Sequence, residues 1–232
     1  MLGILGLDFR GEHIRLSADL GYQYQYIGGQ LSYISLAAGV PLPWAPNARM
    51  NQGQSWNNMA RKDLFGVVRA EVDLTERITA YVAFGAHDNR LLGLYSITNT
   101  VTNINGTATA TAPMNRSWYT TELTVDGGVR ASVDTGPIGH EFAATATTYE
   151  YVVGSGSVRS TAFATNIYNP TAVAQPNLAM PAANKVGTQS LSGLAIADTL
   201  SAADKRIQLT AGLRLQNVTS FEELAKILDE SS

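Results

Sequence analysis

The sequence predicts an all-β protein, an antiparallel up-and-down meander of about eight long strands that forms part of a transmembrane β-barrel, open or partly closed. Three observations predict it: apolar and polar side chains alternate, the alternating segments are long, and tight turns alternate with long loops. Charged residues make up only 15% of the chain, against about 25% in soluble domains. The net charge of −3 gives no indication of nucleic-acid binding.

The clearest strand runs from Ile14 to Tyr26, and a second runs from Ile207 to Gln216. In both, apolar and polar side chains alternate without a slip, as expected of a strand with one apolar face. Similar alternation predicts the remaining strands at residues 5–10, 63–74, 78–87, 119–134, 141–147 and 193–200. Runs of about ten residues are long for a globular protein and typical of strands that cross a membrane.

The two faces of these strands suit a barrel in a membrane. The apolar face would meet lipid, and the polar face would line a wet lumen. The polar face is expected to carry solvated cross-strand ion pairs among Arg69, Glu71, Asp73, Glu122, Asp126 and Arg130. Tyr22, Tyr24 and Tyr26 lie at one strand end, where an aromatic girdle would lie.

Connections between the predicted strands alternate in length. Tight turns are predicted at residues 11–12, 75–77, 135–139 and 202–205, and long loops at 27–61, 88–117 and 154–188. Outer-membrane barrels show this parity, with short periplasmic turns and long extracellular loops. Inside the second long loop, Asn105-Gly106 between two β-prone stretches predicts a hairpin.

The end of the chain has a different pattern. Ser220 and Glu223 have the spacing of a capping box, and Phe221, Leu224, Ile227 and Leu228 recur at helical spacing. We therefore expect a short C-terminal helix, with residues 1–218 forming the barrel segment and 219–232 an atypical helical tail.

Several segments, in order, resemble one family of membrane proteins. They are Asp63-Leu64-Phe65-Gly66 with Arg69-Ala70-Glu71, residues 79–86, residues 136–142, residues 164–170, and residues 195–201 with 206–214. Over about residues 1–218 the chain resembles the middle of the β-barrel of a TonB-dependent siderophore receptor of the ferrichrome type.

This resemblance implies a parent protein in the bacterial outer membrane that takes up ferric siderophores. Its barrel would have roughly 22 strands and enclose a plug domain. The implied partners are outer-membrane lipid, a ferric siderophore as transported ligand and, for the full-length parent, TonB; no cofactor is implied. The sequence shows no signal peptide, plug or TonB box, so we expect a fragment that does not transport by itself.

No pattern of catalytic or metal-binding residues is present. The chain has no cysteine, and His13, His87 and His140 lie far apart without ligand spacing. Gly154-Ser155-Gly156 lacks the lysine of a phosphate loop. We therefore expect neither an enzyme nor a metal site.

Aromatic residues in or beside the long loops are the candidate ligand-binding residues. They are Trp44, Trp56, Tyr95, Trp118 and Tyr168. A siderophore is amphipathic and could stack on exposed rings above the lumen, whereas the alternative is that the rings pack the loops or mark the membrane interface.

Two other functions remain open at this point. The chain could be a small self-contained eight-stranded outer-membrane barrel with a structural or adhesion role. It could also be a soluble β-domain that binds sugars or acts as a surface structural protein.

Overall fold

The computed structural model describes residues 1–222, which form twelve strands. The strands are β1 Leu2–Arg10, β2 Ile14–Gly28, β3 Tyr33–Leu36, β4 Asn58–Thr75, β5 Ile78–Tyr95, β6 Thr98–Val101, β7 Thr107–Ala110, β8 Met114–Thr135, β9 Ile138–Arg159, β10 Phe163–Asn166, β11 Asn184–Ala202 and β12 Ile207–Glu222. Over these residues, the structure contains no helix with the length and apolar character needed to cross a membrane.

Eight of the strands form the main sheet, in the order β1-β2-β4-β5-β8-β9-β11-β12. Every neighbouring pair is antiparallel, and each long strand pairs with the next long strand in the chain. The predicted eight-stranded antiparallel meander is confirmed. Within the described residues, β1 and β12 do not pair with each other, so the sheet has two free edges.

The register places apolar side chains beside each other across the sheet. Ala18 lies opposite Val68, Val68 opposite Phe84, and Phe84 opposite Val125. We call this side the apolar face and the other the polar face. Val68 is 53% exposed and Phe84 46% exposed, because no other element of residues 1–222 covers the apolar face.

The strands extend beyond the segments that alternate. β8 and β9 each have 22 residues, and both continue past the apolar band into the long connections. We call the end of the sheet that carries the tight turns the turn end, and the other the loop end. Residues 29–57, 96–113 and 160–183 connect the strands at the loop end.

The four short strands form a second sheet at the loop end, in the order β10-β7-β6-β3. We call this sheet, with the three connections that supply it, the cap. β6 and β7 form the predicted antiparallel hairpin, and Gly106 has the positive φ that its turn needs. Val101, Ala108 and Ile167 form the buried cluster of the cap, and Val40 and Tyr168 pack against it.

The prediction of a C-terminal helix is wrong where it can be examined. Residues 219–222 belong to β12, and Thr219, Ser220 and Phe221 lie opposite Ser190, Gln189 and Thr188 of β11. Backbone pairing with β11 satisfies the groups that a capping box would otherwise satisfy. The remainder of the predicted helix, residues 223–232, lies outside the described residues.

Candidate ligand-binding surface

The cap brings together three connections that are far apart in the chain. β3 comes from the connection at 29–57, β6 and β7 from that at 96–113, and β10 from that at 160–183. β3 pairs with β6 in parallel, whereas the other two pairs are antiparallel. Three loops that share one sheet form a more fixed surface than three independent loops.

Side chains of the first connection fasten it to the third. Gln52 Nε2 donates to the carbonyl oxygen of Ile167 at 2.9 Å, and Gln54 Nε2 donates to that of Thr171 at 2.8 Å. Trp56 Nε1 donates to the carbonyl oxygen of Val173 at 2.9 Å. These bonds satisfy carbonyl groups that no strand pairs, so Trp56 positions the loops.

Two of the five candidate aromatics lie together at the surface of the cap. The hydroxyl of Tyr168 donates to the carbonyl oxygen of Trp44 at 2.9 Å. Trp44 is 86% exposed, whereas Tyr168 is half-buried against the cluster of the cap. The Trp44 ring is therefore available to a ligand, and Tyr168 holds its backbone.

The other two candidates lie in the main sheet. Tyr95 is the last residue of β5, lies opposite Met114 of β8, and is only 4% exposed. Trp118 is half-buried on β8, where it shares the polar face with Glu122 and Asp126. The structure therefore places three of the five rings in the cap and two in the main sheet.

Charged side chains connect neighbouring strands on the polar face near the turn end. Arg15 donates to both carboxylate oxygens of Asp73 at 2.6 and 2.7 Å, and its Nε donates to Glu71 at 3.1 Å. Arg69 also donates to Glu71, at 2.7 Å. Thr79 donates to Asp73 at 2.7 Å. The expectation of cross-strand ion pairs is met in part: Arg69 pairs with Glu71 within β4, and Arg15, which was not in the expected set, makes the cross-strand pairs to Glu71 and Asp73. Within residues 1–222, Glu122, Asp126 and Arg130 do not form the expected carboxylate–arginine pairs.

Tyr81 lies between two arginines on the same face. The guanidinium carbon of Arg69 is 4.3 Å from the centre of its ring, and that of Arg130 is 5.2 Å away. Both distances fall within the range of cation–π attraction. Asp126 accepts a hydrogen bond from Thr147 at 2.7 Å.

His87 lies between two carboxylates nearer the loop end. Its Nε2 is 3.2 Å from Asp63 Oδ1, and its Nδ1 is 3.5 Å from Glu122 Oε1. Tyr149 donates to the other oxygen of Glu122 at 3.2 Å, and Asn89 donates to Asp63. These contacts make an ordered polar wall. Among residues 1–222, no group of three or more His, Cys, Asp or Glu side chains is placed to hold a metal ion.

Sequence patterns did not single out several residues that shape this surface. Arg15 and Tyr81 are single residues in alternating strands, and only the strand register shows their partners. Gln52 and Gln54 stand in a Gly- and Asn-rich stretch, where amide side chains often bond to nearby backbone. That signal indicates backbone contacts but does not identify the distant loop.

No protein-family model matches the chain. A curated relative, the ferrichrome receptor FcuA of Yersinia enterocolitica, is 33% identical over 222 residues, which is 92% of this chain and 28% of the relative.

Solved structures give the same result. The ferric preacinetobactin receptor BauA of Acinetobacter baumannii matches with a TM-score of 0.86 and 28% identity, over 96% of this chain and 34% of that chain. The ferric-catecholate import receptor Fiu of E. coli K12 shares the fold, with a TM-score of 0.74 and 17% identity, over 94% and 37% of the two chains.

The chain therefore spans about a third of the length of the relatives that it matches. Their names describe receptors, which agrees at the family level with the expectation of a protein that is not an enzyme. The resemblance predicted from the sequence is confirmed, and this chain is related in sequence and fold to the barrel of TonB-dependent siderophore receptors.

Proposed function

We propose that this chain forms part of the wall of an outer-membrane receptor for uptake of ferric siderophores. One observation carries the proposal: an eight-stranded sheet exposes an entire apolar face and folds its long connections into a cap at one end. A barrel wall in lipid needs that apolar face, and a receptor needs an ordered surface above the lumen.

The exposed apolar face argues against the soluble β-domain. Leu20, Leu64, Val68 and Phe84 form a contiguous exposed patch in the middle of the sheet. Soluble proteins rarely leave such a patch uncovered. Lipid would cover it, and the polar face would line the lumen.

The free edges argue against the self-contained barrel. A closed eight-stranded barrel requires β1 to pair with β12, and these strands are unpaired with each other in the described residues. We propose that further strands adjoin both edges in the complete receptor, and that this sheet does not transport by itself. TonB would act on that complete receptor. We propose a boundary between the barrel segment and the C-terminal tail near residue 218; in the described structure β12 extends four residues past that point, to Glu222.

The ligand is proposed to be a ferric siderophore, held by aromatic rings. Trp44 is the most exposed of the five candidates and would stack on the ligand, with Tyr168 beside it. Trp118 would meet the ligand from the polar face. Trp56 and Tyr95 are proposed to contribute by holding the loops in place.

Equilibrium dialysis of the refolded, detergent-solubilised chain against iron-labelled ferrichrome tests the proposal. We expect saturable binding that Trp44→Ala weakens about tenfold, because one aromatic stacking contact contributes about 1 kcal/mol or slightly more. Leu42→Ala is the matched control, since Leu42 is 83% exposed in the same connection. Absence of saturable binding, or an equal loss in both variants, would contradict the assignment of the ligand surface.

A further inference from the structure

A carboxylate lies on the apolar face of the main sheet, near its turn end. Asp198 of β11 lies between Ile196 and Leu200 on that face, and the register places it beside Phe142 of β9 and Ala211 of β12. An ionised carboxylate among lipid-facing side chains is costly unless a donor or an opposite charge accompanies it. A barrel wall does not require a carboxylate at this position, so Asp198 points to a separate contact.

His140 contacts Asp198 without using all of its acceptors. Nδ1 of His140 lies 2.9 Å from Oδ2 of Asp198, and Nε2 lies 2.7 Å from the hydroxyl oxygen of Thr135. Phe142 stacks on the imidazole, with 5.6 Å between the ring centres. A neutral imidazole satisfies both contacts, because Nδ1 can donate to Asp198 while Nε2 accepts from Thr135. Within residues 1–222, Oδ1 of Asp198 has no hydrogen-bond partner, so the carboxylate keeps its negative charge and can accept a further hydrogen bond.

The carboxylate lies at the turn end of an apolar groove that crosses β8, β9, β11 and β12. The groove has a volume of 620 Å³, within the range of about 300–1,000 Å³ that is usual for ligand pockets. Asp198 lines it, and 26% of the Asp198 side chain is exposed. Among the described residues, no lysine or arginine lines the groove, so a positive charge for Asp198 must come from a ligand. The apolar lining side chains are Val129, Ala131, Phe142, Ala144, Ile196 and Leu213.

We propose that this groove binds a primary-ammonium phospholipid, with the ammonium at Asp198 and an acyl chain along Ala144, Ile196 and Leu213. The inference rests on the proposed place of the sheet in a membrane. Charge complementarity selects this occupant, because the groove offers a negative charge and an acceptor at its turn end and apolar contacts beyond it. A primary ammonium carries three N–H donors, whereas the quaternary ammonium of a choline lipid carries none.

The chain offers matched controls for charge and for size. Glu141 follows His140 on β9 but belongs to the polar face, where Lys205 contacts it at 3.1 Å. Ala86 is exposed on the apolar face of β5, as Ala144 is on β9, and it lies outside the groove. Substitutions at Glu141 and Ala86 therefore change the same charge or volume without touching the site.

The first test uses the full chain refolded into phosphatidylcholine vesicles that contain a minor fraction of phosphatidylethanolamine with the same acyl chains. Retention in the vesicles after alkaline extraction reports insertion, and native mass spectrometry of the chain released into detergent reports bound lipid. We expect enrichment of phosphatidylethanolamine over its share of the vesicle lipid. The enrichment should fall about tenfold in D198N, because hydrogen bonds to a charged acceptor are strong, and should stay within about twofold in E141Q.

Covalent coupling locates the ammonium without depending on a variant that folds. A membrane-soluble carbodiimide joins a carboxylate to a primary amine in contact with it; an amide forms, and the carbodiimide takes up the lost water as a urea. We expect a lipid amide on the peptide that carries Asp198 and none on the peptide that carries Glu141. A144F should lower the enrichment about fivefold, because its ring occupies the acyl-chain groove, whereas A86F should not.

Three outcomes would overturn the lipid site and leave the receptor proposal standing. They are an inserted chain without enrichment or coupling at Asp198, an equal loss in each variant and its control, and displacement of the lipid by free ethanolamine. A chain that does not insert into vesicles would overturn both proposals.

Discussion

The main sheet and the cap achieve stability in opposite ways. The cap buries Val101, Ala108 and Ile167 to 1% exposure or less, as a small globular domain does. The main sheet leaves Val68 half exposed in its centre and relies on ladder hydrogen bonds between long strands. The cap provides its own apolar interior, whereas the sheet needs an apolar solvent.

In the proposed receptor, this difference would let one chain serve two environments. Backbone groups in lipid must be paired within the protein, which long antiparallel strands accomplish without a core. Backbone groups at the water-facing end can instead bond to side chains, as with Gln52 and Gln54. The boundary between the two regions lies where the alternation of side chains stops.

The largest expected effect comes from placing a charge on the apolar face. Val68→Arg should destabilise the sheet in vesicles by about 2–4 kcal/mol, the cost of arginine near the middle of a bilayer. Urea unfolding of the vesicle-bound chain measures it. Val67→Arg is the matched control, because Val67 is the residue just before Val68 and belongs to the polar face. It lies opposite Asp19 and Gly85 in the register and is 41% exposed. Equal destabilisation by the two variants would mean that the apolar face does not meet lipid.

The sequence alone was sufficient to predict which side chains lie on the apolar face of the main sheet and which lie on the polar face. From Ile14 to Tyr26 each side chain lies on the face that alternation assigns it, because a strand with one buried or lipid-covered face tolerates no slip in register. The prediction ended this strand at His87, whereas β5 continues to Tyr95. Asp88 and Arg90 lie on the apolar face above the band, where hydropathy no longer distinguishes the two sides.

The cap was less predictable from sequence. Asn105-Gly106 predicted the β6–β7 hairpin from local turn chemistry. The parallel pairing of β3 with β6 and the pairing of β10 with β7 depend on contacts between distant loops, which leave no periodic signal. At the chain end, local helix signals from Ser220 gave way to pairing with β11, because ladder bonds outweigh one cap.

An effect of similar size per site, but confined to the cap, is expected from a cavity in its apolar cluster. Ile167→Ala should lower the stability of the cap by about 2–4 kcal/mol, because Ile167 is 1% exposed and packs against Val101 and Ala108. Hydrogen exchange of the β6, β7 and β10 amides measures the local opening. Ile104→Ala, at a residue that is 53% exposed in the same region, should change little.

Exchange in β4 and β5 distinguishes two models of the molecule. If the cap and the sheet are separate units, Ile167→Ala leaves the β4 and β5 amides protected. Faster exchange in both regions to the same degree would show that the cap and the main sheet unfold as one cooperative unit.

The smallest effect is expected on the polar face near the turn end. Asp73→Asn removes a charge that Arg15 contacts with two hydrogen bonds, yet Glu71 still pairs with Arg15. The urea midpoint in vesicles should fall by less than in Val68→Arg, and added salt should reduce the difference because it screens a partly exposed pair. Asp134→Asn is the control, since Asp134 meets Arg77 at 3.6 Å with 69% of its side chain exposed. A loss in Asp73→Asn that matches Val68→Arg and persists in salt would mean that ion pairs, and not the match between the apolar face and lipid, hold the sheet together.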